Sequence, residues 1–167
     1  MKKLFLFIIV ALLPLMASAQ IRFGYFSHES VLKSMPEYKL AQQNIADLRQ
    51  KYESEMKRAE QEFNAKYEDF LDSQRDLVPS ILRKRQGELQ DMMEKNVAFK
   101  KEAQRLLTQA EADALAPVKR KLGEAVKKVG AEHGYAFVIN TDGDACPYVN
   151  PEMGEDATEA IKAQLNP

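Results

Sequence analysis

Between about residues 36 and 130, apolar side chains recur at steps of three and four in a polar background. Ala41, Ile45 and Leu48 are followed eleven positions on by Tyr52, Met56 and Ala59, and then by Phe63, Tyr67 and Phe70. An eleven-residue repeat is about 3.67 residues per turn, so the apolar stripe hardly drifts around its helix. A second stripe runs through Leu89, Met92 and Phe99 and on through Ala103, Leu107, Ala110, Ala114, Val118, Leu122, Ala125 and Val129. Both patterns predict long amphipathic helices. Glu53 with Lys57 and Glu62 with Lys66 lie four apart in the favourable order. Ser34 as N-cap, Pro36 in the first turn and Glu37 three residues past the cap predict the start. Gly130 or Gly134 predicts a left-handed cap at the end. The one clear break is "DLVPSIL", residues 76–82.

The flanks carry a different pattern. "IRFGYF" (21–26) alternates Ile21, Phe23 and Tyr25, and "YAFVIN" (135–140) alternates Tyr135, Phe137 and Ile139, as strands do. "ACPYV" (145–149) predicts a third strand, joined through the turn-rich "TDGD". A last helix is expected at 155–165, with Asp156 and Glu159 as a capping pair. A turn at Pro79 folds the two long helices into an antiparallel hairpin and returns the second strand block to the first. One unbroken rod would leave each block too small to fold. At about 1.5 Å per residue the hairpin reaches roughly 60–75 Å.

The expected architecture is therefore α+β. A coiled-coil arm, residues 36–130 with its tip near 76–82, projects from a β-rich body, residues 20–35 and 131–167. About fifty residues make a marginal core, and a three-stranded sheet exposes its edges. Association of several chains into one β-core solves both problems. Ile21, Phe23, Tyr25, Tyr135, Phe137, Ile139 and Tyr148 are the candidates for contacts between copies.

Residues 1–19 have the form of a secretory signal peptide. Lys2 and Lys3 precede an apolar run from Leu4 to Met16, and Ala17-Ser18-Ala19 predicts cleavage after Ala19. The run is short for a membrane span, so no stable membrane anchor is expected. Of 24 Lys and Arg residues, removal of Lys2 and Lys3 leaves 22 against 25 Asp and Glu, a net charge near −3. That balance argues against general affinity for nucleic acid or anionic lipid. Cys146 is the only cysteine, so no internal disulfide forms. Its strand-like surroundings predict burial, with pairing between chains as the alternative.

No catalytic constellation is visible, and no enzyme activity is expected. His28 and His133 are the only histidines, each near a helix–strand junction. No Gly-rich phosphate loop suggests a nucleotide. Asn140, Asp142 and Asp144 resemble the start of a calcium loop, but the sixth position is Ala145 and the twelfth Pro151, where such a loop needs Gly and Glu. The stretch reads as a hairpin turn. No metal or other cofactor is expected.

The strand running into "SHESVLKSMPEYKLAQQNI", the two charged helices and "APVKRKLGEAVKKVGAEHGYAFVIN" together resemble the Skp/OmpH family of periplasmic chaperones. The resemblance covers nearly the whole chain after the leader. It implies a trimer, a small β-barrel body around Ile21–Phe26 and Tyr135–Val149, and three hairpin arms enclosing a cavity for unfolded outer-membrane proteins, without ATP. The best-known members are strongly basic and this chain is slightly acidic, so no lipopolysaccharide site is carried over. Apolar residues off the main stripe are the candidates for client contact: Leu71, Met93 and Val97 along the arm, with Leu77, Val78 and Ile81 at the tip. Two competing readings are a structural adaptor whose hairpin docks on one folded partner and, with no supporting constellation, a secreted enzyme.

Overall fold

The computed structural model describes residues 21–144 and 146–166; the expected signal peptide lies outside them. Strand β1 (Phe23–Phe26) leads into helix α1 (His28–Ser34), then the long helices α2 (Pro36–Ser73) and α3 (Pro79–Glu132). Strands β2 (Val138–Asn140) and β3 (Gly154–Asp156) and helix α4 (Thr158–Leu165) follow. The described residues divide into two compact units, one of those up to Met35 with those from Lys119 onward, the other Pro36–Val118.

Within Pro36–Val118, α2 and α3 pair as an antiparallel hairpin. The Asn96 amide donates to the Ala59 carbonyl at 3.3 Å, while Phe99 meets Tyr52 with ring centroids 6.1 Å apart. Residues farther along α3 thus face residues farther back along α2. Ala41, Ile45, Ala103, Leu107, Leu115 and Val118 are buried, and every stripe residue of α2 except Tyr67 is at least half-buried. Glu62 and Lys66 pair at 3.2 Å, as their spacing predicts.

The turn occupies residues 74–78, and Pro79 opens the return helix rather than forming the turn itself. The Val78 carbonyl receives the amides of Ile81 and Leu82, both at 3.0 Å. Proline fits the first helical position because its missing N–H would have had no partner there. From Pro79 to Glu132 the helix runs unbroken through Gly87, Pro117 and Gly123.

Helix α1 was not foreseen. Ser27 caps it, its hydroxyl accepting from the Ser30 amide at 3.1 Å. Ser34 therefore ends α1 instead of capping α2, and its hydroxyl donates to the Val31 carbonyl at 2.6 Å. Pro36 is the cause: it disfavours helical dihedrals in the residue before it, and Met35 is extended at φ −71°, ψ 127°. The other end of the long helix meets expectation. Gly134 is left-handed at φ +68°, its amide donates to the Ala131 carbonyl, and the Tyr135 amide donates to the Gly130 carbonyl at 2.9 Å. These are the two bonds of a Schellman cap.

The sheet has the order β2-β1-β3, with β1 parallel to both neighbours. Within one chain it is open and does not close into a barrel. "ACPYV" is not the third strand: Gly154–Asp156 takes that place. Two parallel strands on opposite sides of β1 need a crossover of a dozen or so residues, so "TDGD" begins a crossover and is not a hairpin turn. Cys146 is half-buried outside any strand, its Sγ 3.6 Å from the Tyr148 carbonyl. The expected capping pair on the last helix is also replaced. Asp156 Oδ1 accepts from the Thr158 amide at 2.9 Å, but Glu159 turns to Lys162 at 2.9 Å. The core of this unit is Phe26, Val31, Leu32, Met35, Leu122, Ala125, Val129, Ala157, Ile161 and Leu165.

Candidate functional site

Strand alternation and register sort the candidate assembly residues. Tyr25 sits opposite Ile139, and Phe23 opposite Gly154. Residues paired across a parallel ladder share a face, and alternate residues change face. Phe23, Tyr25 and Ile139 therefore lie on one face, and Phe137 joins them: its ring stacks on Phe23 with centroids 5.4 Å apart and planes 14° from parallel. Gly154 leaves room for this arrangement, since a Cβ there would run into the Phe23 ring. Phe137 is exposed, and Phe23, Tyr25 and Ile139 are half-buried. Ile21, two residues before the strand in the same alternation, is 68% exposed.

Two candidates lie elsewhere. Tyr135 precedes β2 instead of belonging to it, so the alternation does not extend back to it. A Cβ on Gly24 would sit 2.8 Å from its ring, which places Tyr135 against the opposite face, the side of the buried Gly24 and Phe26. Tyr148 is on the crossover, 75% exposed.

Around Tyr135 the opposite face carries a polar cluster. Its hydroxyl is 3.2 Å from His133 Nδ1, Arg22 stacks 5.9 Å above its ring, and Arg22 binds Glu155 at 3.1 Å. Burial, with Glu155 adding to it, pushes the Tyr135 phenol up to about 12. The hydrogen bond from Tyr135, helped by His133 and Arg22, holds the Glu155 carboxyl below its ordinary range. These residues tie the start of β1, the end of α3 and strand β3 together.

The oxygens that resembled a calcium loop have another use. Asn140 Oδ1 accepts from the His28 amide at 3.2 Å and Asp142 Oδ2 from the Glu29 amide at 2.5 Å, at the N-terminus of α1. Among the described residues no cluster of His, Cys, Asp and Glu is arranged to hold a metal ion. The Glu29 amide and then the Ser27 side chain hold the Asp142 carboxyl below its usual value. A carboxyl whose folded-state pKa is depressed stabilises the fold above its unfolded pKa and loses that contribution as pH falls through the folded value. Asp142 and Glu155 should thus leave stability flat above about pH 5 and make it fall below about pH 4. Urea midpoints measured from pH 6 to 3 test this. Asp142→Asn should flatten the acid slope, and an unchanged slope would remove Asp142 from the account.

The hairpin places its spare apolar residues as a scattered outer set. Leu71, Val78, Ile81, Met93 and Val97 are exposed, while Leu77 is half-buried. Sequence reasoning missed Asn96, the polar residue that occupies the stripe position between Met92 and Phe99. The seven-residue gap between those two was the available signal.

A long helical hairpin and a small unit built on three parallel strands are carried on one chain. The chain belongs to the OmpH-like family: the family model "Outer membrane protein (OmpH-like)" matches residues 22–165. A crystal structure from Caulobacter crescentus CB15, of a protein described as an outer membrane chaperone (OmpH-like), has the same fold. It superposes with a TM-score of 0.73 at 17% identity, over 86% of this chain and 83% of that one. No curated protein sequence matches this chain significantly.

Proposed function

We propose that this protein is an ATP-independent periplasmic holdase that keeps unfolded outer-membrane proteins from aggregating. The observation that carries the reading is a set of exposed apolar side chains, Leu71, Val78, Ile81, Met93 and Val97, on a hairpin whose stripes are already occupied in pairing its own helices. Family membership and the chaperone description of the Caulobacter protein support it. A holdase works by mass action: binding the unfolded chain lowers the concentration that aggregates, without fuel. Membrane β-strands alternate apolar and polar residues. Scattered apolar contacts in a charged setting suit such clients, and flexible Met93 suits a promiscuous one.

The chain is exported by its leader, cleaved after Ala19, and three copies assemble through the sheet face of Phe23, Tyr25, Phe137 and Ile139. Their hairpins enclose the client. The test is light scattering on dilution of a urea-unfolded outer-membrane β-barrel protein. Substoichiometric trimer should suppress the signal, and Val78→Ser with Ile81→Ser should weaken suppression several-fold while leaving assembly intact. No suppression by the unaltered protein at several-fold excess would refute the reading.

A further inference from the structure

The two stripes of the hairpin fail to fill the space between them around Ala59 and Asn96. Ala59 is the smallest residue of its stretch, between Met56 and Phe63, and opposite it stands Asn96, whose amide is held by the Ala59 carbonyl at 3.3 Å. A short side chain meets a polar one, and their large neighbours stand apart around them. The result is an open cavity of about 680 Å³, walled by Met56, Phe63, Val97 and Phe99 over a floor of Ala59 and Asn96. Its size falls in the range of pockets that hold apolar ligands. Walls of this kind gain dispersion contacts only when something apolar enters.

We propose that this groove is a client subsite that takes apolar side chains of an unfolded polypeptide; the assignment rests on the holdase reading above. The rim suits that occupant. Glu53 and Glu60 stand beside Lys57 and Lys100, so both signs of charge surround the apolar walls. An extended chain that alternates apolar and polar residues can seat the former in the groove and leave the latter at the rim, whichever charge they carry. Val97, 65% exposed, continues the groove onto the outer surface, where Met93 is also exposed.

The test uses the full mature protein and a fluorescent synthetic peptide alternating leucine and phenylalanine with serine and lysine, read by anisotropy. Ala59→Leu places a larger side chain on the groove floor, and Val97→Ser removes an exposed wall without touching the core. Each should weaken binding about tenfold, the scale of one lost apolar side chain. Ala98→Leu, which adds the same bulk at an exposed position outside the groove, should bind as the unaltered protein does. Circular dichroism should show the same helix content in all three. If Ala59→Leu and Val97→Ser both bind the peptide normally, the groove is not a subsite, while the holdase reading stands. If the unaltered protein binds neither the peptide nor an unfolded β-barrel protein, both fall. A lower oligomeric mass for Ala59→Leu, with peptide binding kept, would mean that a second copy occupies the groove, and would also overturn the proposal.

Discussion

Gly24→Val is expected to destabilise the sheet-bearing unit by about 3 kcal/mol, at the upper end for overpacking a core, and to melt that unit before the helical hairpin. Gly24 is buried in the central strand. A Cβ there would lie 2.8 Å from two ring carbons of Tyr135 and 3.5 Å from the Ala157 Cβ. Neither neighbour can retreat. Tyr135 is fixed by its amide on the Gly130 carbonyl and by its hydroxyl at His133, and the Ala157 amide is bonded to the Tyr25 carbonyl at 2.8 Å. Position 154 provides the contrast. The three atoms nearest a Cβ on Gly154 all belong to the side chain of the half-buried Phe23, with no second element among them, so Gly154→Ala should cost less. Gly123 has open space around it inside α3, and alanine there should be neutral or stabilising by up to about 1 kcal/mol through helix propensity. Urea unfolding followed by circular dichroism orders the three variants. Gly24→Val unfolding at the midpoint of the unaltered protein would show that Tyr135 does not confine the strand.

The hairpin was legible because its signal is long and redundant. Nine apolar positions repeat without error along α2, so the stripe stands out in the sequence even though Tyr67 proves exposed. The small unit was legible only in part. Helix α1 is seven residues, too short for a periodicity to stand out, and its marks were the Ser27 cap and the constraint that Pro36 puts on Met35. Strand β3 reads Gly-Glu-Asp, residues disfavoured in strands. It forms because Gly154 accommodates the Phe23 ring and because Arg22, Tyr135 and His133 gather around Glu155. "ACPYV" had strand composition but lies on the path that carries the chain across β1. Alternation placed Phe23, Tyr25, Phe137 and Ile139 together, and misplaced Tyr135 because the strand begins three residues later. Long-range partners decide each of these points, and a local pattern does not contain them.

Phe137→Asp should abolish assembly while leaving the fold of each chain nearly intact. In the single chain Phe137 is about half exposed, so a carboxylate there stays hydrated. The loss is chiefly the stack on Phe23, worth about 1 kcal/mol. In an assembled body built on the face of Phe23, Tyr25 and Ile139 the same carboxylate would be removed from water against these side chains. Burying an unpaired charge costs several kcal/mol, and three-fold association would repeat that cost in every copy. Tyr148→Ser removes a more exposed aromatic from the crossover and should leave the mass unchanged if the sheet face is the interface. Analytical ultracentrifugation separates the outcomes. A single-chain mass for Phe137→Asp with an unaltered far-ultraviolet spectrum fits assembly through the sheet. The unaltered mass for Phe137→Asp, with dissociation of Tyr148→Ser, would move the interface to the crossover. The same preparation then tells whether holding needs assembly, because a single hairpin keeps Met93, Val97 and the tip residues but cannot enclose a client. Loss of scattering suppression in the dissociated variant would locate the activity in the space between copies, and retained suppression would locate it on the individual hairpin.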